Sequence, residues 1–226
     1  QNLRAIIKNE NNCNFCYNCG VKRLFLTSSV NYVAQNIAKR INKKGLKLAF
    51  VITPTEVEEG DLKWLEDDRK SLINAGFELT DYTFTDKNKE EIREFLKDFD
   101  GIYMSGGNTF YFLEKIQQSN CADVIRDFVN SGKIYISTSA GSIIAGPDIY
   151  PTRNLEKFAK APKLKSYKGL NLVDFIIMPH WGGQDFKIRY INDRMENAYS
   201  EEYSIILLPN NSYVMVENDS FRIVKV

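Results

Sequence analysis

Short apolar segments that alternate with helical patterns constrain the fold of this chain more than any other feature. Apolar, strand-like segments lie at residues 22–27, 46–52, 77–84, 101–104 and 133–137. Helical spacing of apolar residues follows them at residues 30–43, 62–75, 90–99, 109–118 and 121–131. This alternation predicts βαβ units around a mainly parallel sheet, and uninterrupted apolar strands are typical of a sheet covered on both faces. We therefore predict a three-layer α/β fold with helices on both faces.

The carboxyl-terminal part of the chain is less regular. Residues 147–170 are interrupted by prolines and rich in lysine, which predicts an irregular segment. A strand at 175–178, a helix at about 185–199 and short strands near 204–208, 213–217 and 221–225 follow. Because the chain has no internal repeat and no low-complexity linker, we predict one domain over residues 22–226, preceded by a leader over residues 1–21.

The charge balance excludes several classes of partner. The chain has 30 Lys and Arg against 29 Asp and Glu, a net charge of +1, so no global field favours nucleic acid or an anionic membrane. No apolar run reaches the ~18 residues of a membrane span. The amino-terminal residues lack the apolar core of a secretory signal, so we expect a cytoplasmic protein without nucleic-acid or membrane partners.

Three cysteines in the leader, Cys13, Cys16 and Cys19, have a spacing that metal knuckles and redox pairs also use. A structural zinc site normally has four ligands, yet the fourth cysteine is Cys121 and the single histidine is His180. We expect a reduced leader and no bound metal or cofactor. A metal site and a disulfide or intersubunit role are the alternatives.

Three segments rich in small and polar residues directly follow predicted strands, at 105–109, 137–142 and 179–183. Ligands of open parallel sheets bind beyond the carboxyl ends of the strands, so these segments are predicted to meet at one site. The pattern Ser137-x-Ser139-x-Gly141 is close to the G-x-S-x-G nucleophile elbow, with serine at the first glycine. A tight structural turn is the alternative.

A serine nucleophile needs a base, and histidine is the usual one at neutral pH. If Ser139 is activated by histidine, the base must be His180; a structural histidine at a strand end is the alternative. Gly106 and Gly107 offer unobstructed backbone N–H groups at the start of a predicted helix. Such groups can stabilise an oxyanion, whereas a plain turn or a phosphate site is the competing interpretation.

The chain resembles the peptidase E family in three motifs, in this order and spacing: Ser105-Gly106-Gly107-Asn108-Thr109, Ser139-Ala140-Gly141-Ser142 and Pro179-His180. The family comprises aspartyl dipeptidases and cyanophycinase-like serine peptidases with a class I glutamine amidotransferase-like (flavodoxin-like) fold. The resemblance spans residues 22–226. It implies Ser139 as the nucleophile, His180 as the base, and an oxyanion hole built from the amides of Ala140 and of Gly106 or Gly107.

The residue that orients the histidine is where this chain departs from the family. Relatives commonly carry an acid just before a late apolar strand, where residues 210–212 here are Asn-Asn-Ser. The acid proposed for other members corresponds to Asn154. The group that orients His180 is therefore unassigned, and Asp185 and Glu217 are possible substitutes that surface charge also explains. Loss of the acid can lower turnover by about 10⁴ in a serine protease, so reduced activity is an open alternative.

The resemblance implies a serine peptidase that acts on short peptides, in particular dipeptides with an amino-terminal aspartate. A buried substrate carboxylate needs a cationic partner, for which we expect Arg189, with Arg194 and Arg153 as alternatives. We also expect Asn108 and Thr109 to contact the substrate. A non-catalytic binding or regulatory protein and an esterase or amidase are the competing functions. A small peptide is the expected partner, and a monomer or a homodimer the expected assembly.

Overall fold

Parallel strands form the centre of the computed structural model, which describes residues 20–155, 158–199 and 202–226. The first five strands are β1 (Arg23–Thr27), β2 (Leu46–Val51), β3 (Phe77–Tyr82), β4 (Gly101–Met104) and β5 (Ile134–Thr138). The later strands are β6 (Phe175–Pro179), β7 (Ser204–Leu208), β8 (Ser212–Glu217) and β9 (Ser220–Lys225). Within the described residues the main sheet has the order β3-β2-β4-β5-β1-β8-β9, and β8 and β9 are antiparallel to their neighbours. β6 and β7 form a separate parallel pair.

Helices cover both faces of the main sheet, as predicted. Along β1, Leu24 and Leu26 belong to one core and Phe25 to the other, because successive side chains of a strand point to opposite faces. The core around Phe25 includes side chains of α1 (Ala34–Ile41) and α2 (Lys63–Asn74). The other core includes side chains of α3 (Lys89–Leu96), α4 (Thr109–Ser119) and α5 (Ala122–Asn130). The three-layer, mainly parallel α/β prediction is confirmed.

Two predicted helices differ in detail from the structure. The pattern at 30–43 begins as a 3₁₀ turn, Val30–Tyr32, before α1. The helix predicted at 185–199 consists of α7 (Gln184–Arg189), a π-helical turn (Tyr190–Arg194) and α8 (Met195–Ala198), with α6 (Ala140–Ile143) preceding them after β5. Helical spacing cannot predict the π turn, because one wider turn barely alters the apolar pattern.

The predicted leader with Cys13, Cys16 and Cys19 lies outside the described residues, so the metal and disulfide alternatives stay predictions. Cys121 is fully buried at the start of α5, and burial raises the pKa of its thiol to about 11. No helix in the described ranges combines the length and apolar composition that crossing a bilayer requires.

Candidate active site

A sharp turn between β5 and α6 presents Ser139 at the carboxyl edge of the sheet. Ser139 has φ 47° and ψ −105°, a left-handed backbone conformation that is strained for a residue with a side chain. Its amide donates a 3.0 Å hydrogen bond to the Thr27 carbonyl at the end of β1, which holds the turn against the neighbouring strand. This is the geometry of a nucleophile elbow, in which the turn pushes the hydroxyl away from the backbone.

The small residues around Ser139 build the turn. The Ser137 and Ser142 hydroxyls lie 2.8 Å apart, and Ser142 also donates to the Thr27 carbonyl at 2.7 Å. Both side chains are fully buried, so they serve the packing of the turn. A Cβ on Gly141 would lie 2.2 Å from the Met104 carbonyl oxygen, which explains why glycine is required there. The interpretation as a tight structural turn therefore applies to Ser137, Gly141 and Ser142, and the catalytic interpretation concerns Ser139 alone.

His180 reaches the elbow from the end of β6. Its Nε2 lies 3.0 Å from Ser139 Oγ, within hydrogen-bonding distance. The ring stacks on Phe186, with centroids 4.5 Å apart. The His180 backbone, at φ 63°, donates to the Ser28 hydroxyl at 3.2 Å, and Ser28 in turn donates to Leu208. These contacts fix both the main chain and the ring plane of His180.

The other ring nitrogen of His180 faces Asn210. The distance from Nδ1 to Asn210 Oδ1 is 2.9 Å, and an amide oxygen can accept but not donate. With Nδ1 as the donor, Nε2 is unprotonated and faces the Ser139 hydroxyl. Asn210 therefore takes the orienting position that the sequence left unassigned.

Neither proposed carboxylate substitute takes that position. Asp185 lines the same cavity and is exposed. Glu217 pairs in register with Arg23, at the start of β1 and thus at the opposite edge of the sheet. The side chain of Asn154 lies outside what the structure describes.

The environment of His180 lowers the pKa of its imidazole below the ordinary value of 6.5. Burial is the main cause, because it disfavours the charged ring, and the Arg194 guanidinium acts in the same direction. The hydrogen bond to Asn210 acts in the opposite direction. His180 is therefore neutral at pH 7, the state in which it can accept a proton.

Backbone amides near Ser139 can stabilise negative charge. Across residues 20–155, 158–199 and 202–226, the amides of Gly106, Gly107 and Ala140 have no protein acceptor. A Cβ on Gly106 would lie 3.5 Å from the Ser139 Cβ, so this loop passes close to the elbow. A Cβ on Gly107, which has φ 124°, would lie 2.4 Å from the Pro54 carbonyl oxygen. The two glycines thus permit a loop whose amides lie beside the nucleophile.

Ser139 and His180 line a cavity of about 660 Å³. Asn108 and Arg189 line it, as expected for substrate-binding residues, although the Asn108 side chain also accepts from the Tyr111 amide and caps α4. Thr109 is fully buried and is not part of the cavity wall, and its contact with substrate stays a prediction.

The three candidate arginines have different surroundings. Arg189 is exposed, and its guanidinium lies 5.8 Å from the Phe186 ring centroid. Arg194 also lines the cavity but is only 3% exposed, and it donates to the Tyr190 hydroxyl at 2.7 Å. Arg153 stacks over Tyr150 and is not part of the cavity wall. The cavity therefore brings two of the three arginines to the site.

Among the wall residues that sequence reasoning missed is the fully buried Asp68. A signal was present, because Leu65, Asp68 and Leu72 have the spacing of one helical face. A carboxylate on the apolar face of a helix is unusual enough to suggest a specific role.

The sequence model of peptidase family S51 matches residues 24–224. The chain belongs to peptidase family S51. This S51 protein is accordingly a hydrolase of the serine-peptidase type, as the three motifs indicated.

Two relatives and one solved structure agree with this membership, and a second solved structure shares the fold. An uncharacterized peptidase of Listeria monocytogenes serovar 1/2a is 30% identical over 197 residues, 87% of this chain and 95% of that protein. Peptidase E of a Nostoc species is 26% identical over 213 residues, 89% of this chain and 84% of that protein. The crystal structure of a candidate peptidase E from L. monocytogenes EGD-e matches with a TM-score of 0.83 at 28% identity, covering 92% of this chain and 100% of that one. The crystal structure of a peptidase from an acI-B1 actinobacterium shares the fold. It matches with a TM-score of 0.69 at 17% identity, covering 92% of this chain and 89% of that one.

Proposed function

We propose that this S51 protein hydrolyses short peptides, in particular dipeptides with an amino-terminal aspartate, with Ser139 as nucleophile and His180 as base. The observation that carries the proposal is the chain of contacts from Ser139 Oγ to His180 Nε2, 3.0 Å, and from His180 Nδ1 to Asn210 Oδ1, 2.9 Å. Acyl transfer of this type requires a base within hydrogen-bonding distance of the nucleophile and a third group that orients the base.

The proposed reaction has two steps. His180 Nε2 accepts the Ser139 proton while Oγ attacks the scissile carbonyl carbon, and the resulting oxyanion is stabilised by the amides of Ala140 and of Gly106 or Gly107. The imidazolium then donates its proton to the leaving amine, and the carbon–nitrogen bond breaks to leave an acyl-serine. Water, deprotonated by His180, attacks the acyl group, and Ser139 recovers its proton.

Size and charge of the cavity support a short anionic peptide as substrate. A volume of about 660 Å³ falls in the range of small-ligand pockets, about 300–1,000 Å³. Arg189 and Arg194 line it and supply positive charge for a substrate carboxylate. We assign recognition of the aspartyl side chain to Arg189, with Arg194 as the buried alternative.

A dipeptide library assayed with the wild type and with Ser139→Ala tests the proposed reaction. We expect Asp-Xaa hydrolysis by the wild type, and a loss of many orders of magnitude in the folded variant because the covalent nucleophile is absent. A fluorophosphonate probe should label the wild type at Ser139. Unchanged turnover in the variant, or a label on another residue, would contradict the mechanism. Turnover of esters without turnover of dipeptides would instead favour the esterase alternative.

Arg189→Met tests the preference for aspartate. We expect kcat/KM for Asp-Leu to fall by about 10²–10³, since a charged hydrogen bond is lost and the substrate carboxylate remains desolvated, whereas Ala-Leu should change much less. Arg194→Met, assayed in parallel, tests whether Arg194 binds the aspartyl carboxylate instead. Equal losses on Asp-Leu and Ala-Leu would show that Arg189 has a structural role.

A further inference from the structure

Charged side chains of both signs line the cavity. Glu58, Glu59 and Asp68 come from the segment after β2 and from α2, whereas Arg189 and Arg194 follow His180. A cavity that carries both signs of charge suits a ligand that carries both. A peptide with a free amino terminus and a carboxylate is such a ligand.

Asp68 differs from the other carboxylates of the wall in its burial. Glu58 and Asp185 are exposed, so water screens their charge, and Glu59 pairs with Lys160 at 2.8 Å. Asp68 is only 1% exposed. In such surroundings a charge interacts strongly with any ligand that replaces water.

The hydrogen-bond partners of Asp68 are neutral. Oδ2 accepts from the Tyr103 hydroxyl at 2.6 Å, and Oδ1 accepts from the Asn31 amide at 3.3 Å. In the described part of the chain, no lysine or arginine forms an ion pair with Asp68. Burial raises the pKa of Asp68 to about 6, so the carboxyl group is mostly ionised at neutral pH.

The hydrogen bonds from Tyr103 and Asn31 do not by themselves require a charged group at position 68. An asparagine could accept from Tyr103 and would avoid the unfavourable desolvation of a buried carboxylate. A cationic ligand, in contrast, would supply the counter-charge that the protein does not.

The position of Asp68 fits one particular cation. The Tyr103 hydroxyl that donates to Asp68 also lies 3.0 Å from Thr138 Oγ1, and Thr138 directly precedes Ser139. In a peptide, the α-amino group is two bonds from the first carbonyl carbon. A group that binds this amine must therefore lie close to the nucleophile, as Asp68 does.

We propose that Asp68 binds the α-ammonium group of the substrate's first residue and so directs hydrolysis to the amino-terminal peptide bond. This inference rests on the proposed peptidase function. In Asp-Xaa the ammonium faces Asp68 and the side-chain carboxylate faces the arginines, and the two contacts together orient the carbonyl group toward Ser139.

Two chromogenic substrates isolate the ammonium group. Aspartyl-p-nitroanilide and succinyl-p-nitroanilide share the carboxylate and the scissile bond, but the succinyl compound lacks the amine. We expect the wild type to prefer the aspartyl compound by about 10²-fold or more. Asp68→Asn should lower kcat/KM for the aspartyl compound by about 10²-fold, mainly through KM, and change the succinyl compound by less than about threefold. Asp67→Asn, which removes a neighbouring charge outside the cavity wall, should leave both rates near wild type.

The rate of fluorophosphonate labelling separates binding from a structural role, because the probe has no ammonium group. We expect Asp68→Asn to label Ser139 within about threefold of the wild-type rate. A labelling rate that falls in parallel with peptide turnover would mean that Asp68 supports the elbow through Tyr103 and Thr138. That result would overturn the proposal.

A binding measurement keeps the inference distinct from the proposed function. Ser139→Ala, titrated calorimetrically with Asp-Leu and with succinyl-leucine, should bind Asp-Leu more tightly, and adding Asp68→Asn should abolish the difference. If the wild type hydrolyses no peptide, the proposed function fails, yet this binding difference would still support ammonium recognition. Equal binding of the two ligands, or binding of neither, would overturn the inference even if peptides are hydrolysed.

Discussion

In the proposed mechanism, Asn210 performs part of the task of a triad carboxylate. Its amide oxygen accepts from His180 Nδ1 at 2.9 Å and so favours the tautomer with a free Nε2. As a neutral group it cannot stabilise the imidazolium by charge, as the aspartate of a Ser-His-Asp triad does. Under the proposed mechanism, Asn210 retains the orientation of His180 but supports its imidazolium more weakly than a carboxylate would.

Asn210→Asp should shift the pH dependence of Ser139 labelling by a fluorophosphonate. The base must be neutral to act, and burial lowers the pKa of His180 below 6.5, so the wild-type labelling rate should fall only below that pH. A carboxylate beside Nδ1 stabilises imidazolium and raises the pKa, so the acidic limb should move up by about 1 pH unit or more.

Asn210→Ala is the matched loss-of-function variant. It removes the acceptor, and labelling should slow by about 10²–10⁴ at pH 7. Because the probe has no amine, these profiles do not report ammonium binding by Asp68. Wild-type rates and profiles in both variants would show that Asn210 does not orient His180.

The proximity of Ser139 and His180 could be predicted because each follows a strand that the apolar pattern identifies, and the sequence has one histidine. Asn210 and Asp68 could not be assigned in this way. Their roles depend on distances across the fold, to the His180 ring and to the Tyr103 hydroxyl, and an asparagine in a turn or a carboxylate in a helix is chemically ordinary.

At the scale of elements, the β5–α6 elbow depends on one glycine, Gly141. Gly141→Ala would place a Cβ 2.2 Å from the Met104 carbonyl oxygen, so α6 must move away from β4. We expect a loss of about 1–3 kcal/mol or more in the free energy of unfolding, and a loss of activity, since the Ser139 hydroxyl and the Ala140 amide shift with the helix. Thermal unfolding and peptide turnover measure the two effects.

Gly76→Ala is the control for that substitution. Gly76 has φ 95°, and a Cβ on it would meet no atom of the described residues within 4 Å, so only backbone strain opposes alanine there. Stability should fall while activity per folded molecule stays at the wild-type level. An active Gly141→Ala variant would show that the elbow tolerates displacement of α6.

At the scale of elements, the sequence predicted the strands well and the helix after His180 poorly. Strands are short, apolar and bounded by turn residues, so local composition identifies them. The π turn at Tyr190–Arg194 reflects tertiary packing, since Tyr190 and Arg194 are buried while Ile188 and Ile191 remain exposed. Hydrophobic periodicity cannot predict a turn in which polar side chains are buried and apolar side chains are exposed.

At the scale of the whole molecule, the site is divided between two sheets. Ser139 follows a strand of the main sheet, whereas His180 and Asn210 follow β6 and β7 of the small one. The fully buried Ser28 hydroxyl connects the two, since it accepts from the His180 amide and donates to the Leu208 carbonyl.

Ser28→Ala should weaken this connection. The His180 amide would lose its acceptor, at about 1–3 kcal/mol, whereas the Leu208 carbonyl keeps the Trp181 amide as a donor, and the small sheet should detach more easily. We expect activity in urea to be lost at a lower concentration than the far-UV circular dichroism signal. Ser131→Ala, which removes an exposed hydroxyl that donates to the Phe128 carbonyl, should leave the two transitions coincident, as in the wild type. Coincident transitions in Ser28→Ala would contradict the proposed connection.

The order of the site residues along the chain affects the enzyme while it is being made. Ser139 leaves the ribosome before His180, and their separation of 41 positions along the chain corresponds to about 2–8 s of synthesis. During that interval the serine is an ordinary alcohol, because His180, the proposed acceptor of its proton, has not yet been synthesised. Under the proposed mechanism, a nascent chain can cleave peptides only after both His180 and the later Asn210 have left the ribosome.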